Sequence, residues 1–271
     1  NMIGKLALIA VIIAVPLFFV FRKKLLPVPE TFPEKWRKYL LKEVKFYQNL
    51  DAEERKQYEE DILYFLSHHK ITGISTEITD EDRLLVASSG VIPIYGFPEW
   101  HYSNLEEVIL YPQSFNHQHE TDGSTNGRNI LGMVGSGYMS GKMVLSRPSL
   151  RQGFENETTK SNVGIHEFVH LLDYADGATD GIPEALMSHQ YSIPWMAMIK
   201  TKIEEIQNGD TDINPYGGVS ETEFLPVVSE YFFNRPRLMR DKHPELYKAL
   251  QQVFQQDPAA DRDEAISAAE A

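Results

Sequence analysis

The segment Asn162–Asp173, NVGIHEFVHLLD, constrains this chain more than any other. Its apolar residues Ile165, Phe168, Val169 and Leu172 fall at i, i+3, i+4 and i+7, the signature of a helix with one buried face. Against that face stand His166, His170 and Asp173, with Glu167 between them. Polar groups half sunk in a core helix cost free energy unless something satisfies them. Two histidines four residues apart project from the same side, with Cβ atoms ~5–6 Å apart. So placed, both imidazoles reach a single zinc ion at ~2.0–2.1 Å. Glu167 lies about 100° round the helix, near enough to touch a metal-bound water without ligating. This is the HExxH pattern: zinc lowers the pKa of a bound water to ~7, the carboxylate takes the proton, and the water attacks a peptide carbonyl. Asp173, three residues after His170, is placed to accept a ring N–H and fix the ligand's tautomer.

A catalytic site needs a third protein ligand beside an open position. SETEFLPVVSEYFF offers Glu223 and Glu230, seven residues apart on one helix face, so spacing does not choose between them. Ser220-x-x-Glu223 also matches a capping box, a purely structural use of Glu223. Pro226 lacks an N–H, so a helix here is expected to kink or to begin later. Tyr216, in the NPYGG loop just ahead of that helix, is positioned to donate to the oxyanion of a tetrahedral intermediate. The run Gly141–Ser146, GKMVLS, reads as a strand, either an ordinary one or an edge along which an extended substrate lies.

Composition removes other chemistries. There is no cysteine, hence no disulfide framework, thiolate nucleophile or cysteine-based zinc site. A net charge of −13 argues against direct nucleic-acid binding. No Gly-rich phosphate loop and no G-x-S-x-G is present. His117 and His119 lie in a polar stretch without further ligands and read as a solvated loop.

The N-terminal run Ile3–Phe21 is apolar apart from Lys5, and about 19 residues at ~1.5 Å each approach the ~30 Å of a hydrocarbon core. No small-residue cleavage site follows, which favours an uncleaved anchor over a removed signal peptide. Arg22, Lys23 and Lys24 outnumber Lys5, so the positive-inside rule puts the rest of the chain in the cytoplasm. The expected organisation is a transmembrane anchor over 1–24, a proline-rich linker over 25–33, a catalytic domain over 34–258 and a disordered acidic tail over 259–271.

Within that domain Glu34–Leu50 and Ala52–His68 are expected to form a helical hairpin. Asp82–Ser89 is a possible helix, and Val91–Tyr95 and Glu107–Tyr111 read as strands. Further helices are expected over Tyr191–Asn208, Glu221–Phe233 and Leu246–Phe254. The fold class is α+β, with a small mixed sheet and a helical hairpin ahead of the HExxH helix.

HEFVHLLDYADGATDGIP, LEEVILYPQSF and the segment from Tyr216 through Glu223 to SEYFF together resemble the Mlc titration factor A family, bacterial zinc metallopeptidases. The resemblance runs from about Thr31 to Pro258 and leaves out the apolar N-terminus. It implies a zincin-type domain like the catalytic domain of anthrax lethal factor, binding one Zn²⁺ per chain. It implies His166, His170 and Glu223 as ligands, Glu167 as general base, Tyr216 as oxyanion donor and Glu230 as a supporting residue. Arg147 departs from the family pattern, which more often has an aromatic residue there. The expected function is hydrolysis of peptides or a partner protein at the cytoplasmic membrane. The family name implies that a member binds a transcriptional repressor, so the rival expectation is a regulatory protein that sequesters such a partner. An intact Glu167 favours the enzyme, because a pure binder needs no base.

Overall fold

Three parallel strands and ten α-helices are built from residues 27–112, 141–155, 158–177, 180–183 and 189–260, the parts of the chain that the computed structural model describes. The apolar run Ile3–Phe21, the His117/His119 stretch and residues 261–271 of the acidic tail lie outside those residues. Among the described residues no helix is long and apolar enough to cross a membrane.

Helices α1 (Glu34–Glu43), α2 (Lys45–Gln48) and α3 (Ala52–His68) make the expected hairpin. Asp51 caps α3 in a reciprocal capping box with Glu54. The hairpin closes on buried Glu59, whose carboxylate takes Arg37 Nε and a second guanidinium nitrogen at 2.8 Å each, and the Tyr47 hydroxyl at 2.7 Å. Such a bidentate pair, with a third donor, satisfies the charge that burial would otherwise penalise. Ahead of α1, Phe32 is buried edge-on against Trp36, and Arg83 donates to the Pro27 carbonyl.

Strand β1 (Lys70–Gly73) leads into α4 (Asp80–Ile94), then β2 (Glu107–Tyr111) and β3 (Lys142–Ser146). The strand order is β1-β2-β3, with Ile71 opposite Val108 and Val108 opposite Met143. The described sheet is wholly parallel, so the expected mixed sheet is corrected on this point. Parallel neighbours need crossovers, and α4 supplies one between β1 and β2. Val91–Tyr95 is not a strand: Val91–Ile94 are the last turn of α4, and Tyr95 is its C-cap. Residues 82–93 of this helix are buried on every side, so the apolar run carries no periodicity that would separate helix from strand. A capping box between Thr79 and Asp82 starts the helix.

Helix α5 (Arg147–Glu155) follows β3 directly. Arg147 turns away from solvent to meet the fully buried Asp82, at 2.9 Å through Nε and 2.7 Å through its terminal nitrogen, and reaches the Thr76 hydroxyl at 2.8 Å. Arg151 joins at 2.9 Å. Arg147 thus fastens the end of β3 to the start of α4.

Helix α6 (Val163–Asp173) is the HExxH helix, and it packs between α4 and α8 (Glu221–Asn234). The crossing with α4 is close because glycines line it. A Cβ on Gly164 would stand 2.1 Å from Ser89 Oγ, and one on Gly90 3.0 Å from the Phe168 ring. Phe65, Tyr102 and Phe168 pack edge-to-face beneath, with centroids 5.1–6.5 Å apart. Helix α7 (His189–Asn208), the 3₁₀ turn Pro215–Gly218, α9 (Pro236–Lys242) and α10 (Pro244–Phe254) complete the fold. Helix α8 runs from Glu221 through Pro226 to Asn234, so the alternative of a later start does not occur. Proline's missing N–H falls early in the helix and costs only one bond to the first turn. After α10, Ala259 is buried and its N–H donates to the Tyr247 hydroxyl at 2.9 Å.

Candidate metal centre

Three elements supply the site. Helix α6 begins where the Asn162 side chain accepts the Ile165 N–H at 3.2 Å, an N-cap that fixes the first turn and hence the direction of His166 and His170. Their rings lie 4.9 Å apart, nearly perpendicular at 77°. Helix α8 begins at Ser220, which caps Glu223 in its first turn at 3.3 Å. The 3₁₀ turn Pro215–Gly218 lies between α7 and α8 and carries Tyr216, its ring 5.9 Å from that of His166.

These elements bring Glu223 Oε2 to 3.2 Å from His166 Nε2 and 3.3 Å from His170 Nε2. One ligand atom from each of the three residues lies within 4.8 Å of the other two. The second carboxylate on the α8 face takes the opposite side of the same imidazole. Glu230 Oε1 is 2.7 Å from His166 Nδ1, and its other oxygen accepts the Asn162 N–H. Glu223 and Glu230 therefore face different nitrogens of one ring, which spacing alone did not resolve. The tautomer with the proton on Nδ1 donates to Glu230 and leaves Nε2 a lone pair facing Glu223 and His170.

The electrostatics follow. Burial alone would raise the Glu223 carboxyl, but the His166 and His170 rings outweigh it and hold it far below the usual carboxylate range. Burial would lower the His166 ring, yet the carboxylates of Glu223 and Glu230 raise it well above the ordinary imidazole value. A buried and a half-buried imidazole facing one carboxylate form a site that favours a cation between them.

Glu167 is 4 % exposed on α6, beside His166. Asp173 is fully buried at the end of the helix, and its Oδ2 accepts the Gly181 N–H at 3.0 Å, which holds the loop after α6. Asn162 is a residue of the site that the HExxH motif does not name. It caps α6, hands its N–H to Glu230 and donates its amide to Gly153 O at 3.3 Å. The available signal was its N-cap residue type directly ahead of a helical apolar pattern.

The glucose-regulated metallo-peptidase M90 family matches residues 20–255, which include all of these groups. The chain belongs to this family. Among relatives, an uncharacterized protein of Synechocystis sp. is 27 % identical over 262 residues, covering 93 % of this chain and 94 % of its own. Mlc titration factor A of Pectobacterium atrosepticum is 24 % identical, covering 71 % and 80 %. Mlc titration factor A of Escherichia coli is 29 % identical, covering 59 % and 62 %. The resemblance drawn from the HEFVHLLDYADGATDGIP and SEYFF segments is thus a family relationship, and the Pectobacterium and Escherichia relatives carry the Mlc titration factor A name.

Proposed function

We propose that this M90 member is a zinc-dependent peptidase with a zincin-type catalytic domain, whose ion is held by His166, His170 and Glu223. The carrying observation is the convergence of two Nε2 atoms on one carboxylate oxygen, at 3.2 and 3.3 Å. Tetrahedral zinc with bonds of ~2.0–2.1 Å sets neighbouring ligand atoms roughly 3.3 Å apart, which both Nε2–Oε2 separations match. Two neutral imidazoles and one carboxylate are the donor types of a catalytic zinc site with a fourth position open. When bound, zinc would acidify a water molecule and polarise the scissile carbonyl.

The chain's own residues supply the rest. Glu167, buried next to the cluster, takes the proton from the attacking water and passes it to the leaving amine. Tyr216 donates its phenol to the carbonyl oxygen as charge develops there. Glu230 holds His166 by Nδ1, so Nε2 keeps its direction without loss of rotamer freedom at each turnover. Strand β3 ends the described sheet, and an extended peptide added along it would lie beside α6. Substrates of this reading are peptides or a partner protein near the membrane, to which Ile3–Phe21 anchors the domain on the cytoplasmic side.

A second reading, sequestration of a transcriptional repressor, is favoured by the name of the Pectobacterium and Escherichia relatives, Mlc titration factor A. The two separate at Glu167. A Glu167→Gln variant keeps shape and hydrogen bonding, so repressor capture would survive it. Peptide hydrolysis should fall by at least ~10²-fold in a peptide-library digest. Unchanged hydrolysis would sink the peptidase reading.

A further inference from the structure

Asp212 lies outside the metal cluster, four residues before Tyr216, yet four side chains converge on its carboxylate. Lys160 Nζ donates to its side chain at 2.8 Å and to its backbone carbonyl at 2.6 Å. Lys242 Nζ donates to Oδ2 at 2.8 Å and the Tyr231 hydroxyl to the same oxygen at 3.2 Å. His243 Nε2 meets Oδ1 at 2.6 Å. Lys160 also sits over the Tyr231 ring, 4.5 Å from its centroid. Burial would raise this carboxyl, but its lysine and histidine donors hold it well below the usual range.

What matters is where those donors come from. Lys160 is two residues ahead of Asn162, the cap of the HExxH helix. Tyr231 follows Glu230, the partner of His166. Lys242 and His243 end α9. Asp212 therefore ties the segment that leads into the Tyr216 turn to α8 and to the segment that leads into α6.

Beyond Asp212 the turn has little freedom. Ile213 is 3 % exposed, and the Asn214 side chain accepts the Tyr216 N–H at 3.1 Å. A Cβ on Gly217 would meet Val227 at 3.0 Å, and one on Gly218 would meet Ile206 at 2.7 Å, so the turn lies flat on α7 and α8. Gln207 holds its far end through the Gly218 carbonyl at 2.8 Å. With the far end held, the near end decides where the phenol stands.

We propose that Asp212 is a positioning residue for Tyr216: it anchors the entry of the turn and so sets the distance of the phenol from the His166–His170–Glu223 cluster. The proposal rests on Tyr216 acting in catalysis as assigned above. A displacement of about 1 Å by a change remote from the chemistry can cost up to ~10²-fold in rate.

A double-mutant cycle on the full-length, zinc-loaded protein tests it. Asp212→Asn in the wild-type background should lower kcat roughly tenfold or more, leave KM within about twofold and keep the zinc content. In a Tyr216→Phe background the same change should cost less than about twofold, because the phenol it positions is gone. An equal loss in both backgrounds, or none in either, overturns the proposal. Lys242→Ala removes one exposed donor and should give a weaker effect in the same direction if Asp212→Asn folds poorly. Backbone amide exchange provides a readout that needs no activity. In Asp212→Asn, exchange should rise over residues 213–218 and stay unchanged over 163–173. If the wild type hydrolyses no peptide, the peptidase reading fails while this measurement still decides the role of Asp212. A uniform rise across the domain, or no change, contradicts it.

Discussion

Glu230 and His166 are joined across two helices, carboxylate Oε1 to ring Nδ1 at 2.7 Å, and this contact turns the other ring nitrogen toward Glu223. One imidazole is thus gripped from both sides by two carboxylates of α8. The arrangement assigns the carboxylates different work, although both lie on the same helix face.

Glu230→Gln should weaken zinc affinity or activity by about 10–100-fold, the range for groups that orient a ligand from behind. Glu223→Ala should remove the ion or nearly so. Chelator competition on the two variants measures the difference. If Glu230→Gln loses the metal while Glu223→Ala keeps it, the two roles are reversed.

Gly164→Ala tests the crossing of α6 over α4. The new methyl would stand 2.1 Å from Ser89 Oγ, 2.8 Å from its Cβ and 3.0 Å from Leu150. Overpacking of this kind costs about 1–3 kcal/mol. Denaturant unfolding should show that loss, and Ser89→Ala in the same chain should restore part of it by removing the nearest atom. No destabilisation by Gly164→Ala would show that the helices separate freely there.

Acid stability follows from Asp82 and Asp212. Burial works against ionisation at both. At Asp82 the Thr79 N–H and the Arg147 and Arg151 guanidiniums more than offset it, and at Asp212 the Lys160, Lys242 and His243 donors do so. Both carboxyls therefore lie lower in the folded chain than the ~3.9 of an unfolded aspartate. Stability from these groups is present above about pH 4 and is lost as the pH falls below it, because the unfolded state then binds more protons. Urea midpoints from pH 7 down to pH 3 should decline over the acid part of that range. Asp82→Asn should lower the midpoint at pH 7 and flatten the decline. An unaltered slope in that variant contradicts the assignment.

Topology is tested by a reporter fused after Ala271. It should behave as cytoplasmic, and the protein should stay with membranes through alkaline extraction. A domain open to protease from the periplasmic side would refute the anchor's orientation.

Much of the scaffold is legible in the sequence wherever one face of an element is wet. Helix α3 shows its apolar spacing, and β2 alternates buried with half-buried residues. Legibility fails where burial is all-round or the element is short. The end of α4 is buried on every side and reads as a strand, while β1 has only four residues and begins with an exposed lysine. Helix α5, RPSLRQGFE, offers few apolar residues, and its purpose lies in the ion pairs of Arg147 and Arg151 with a residue more than sixty positions earlier. At the site, local spacing brings His166, Glu167 and His170 together. Glu223, Glu230 and Tyr216 arrive by tertiary packing of α8 and its preceding turn, which no single window of sequence contains.

Metal content tests the central claim most directly. Elemental analysis of the purified protein should find about one zinc per chain, the stoichiometry of a site with three protein ligands and one open position. The His166→Ala variant, purified in the same way, should contain almost none. A wild type that takes up no metal when zinc is supplied, or a His166→Ala variant that retains one zinc per chain, would contradict the assignment of His166, His170 and Glu223 as the ligands.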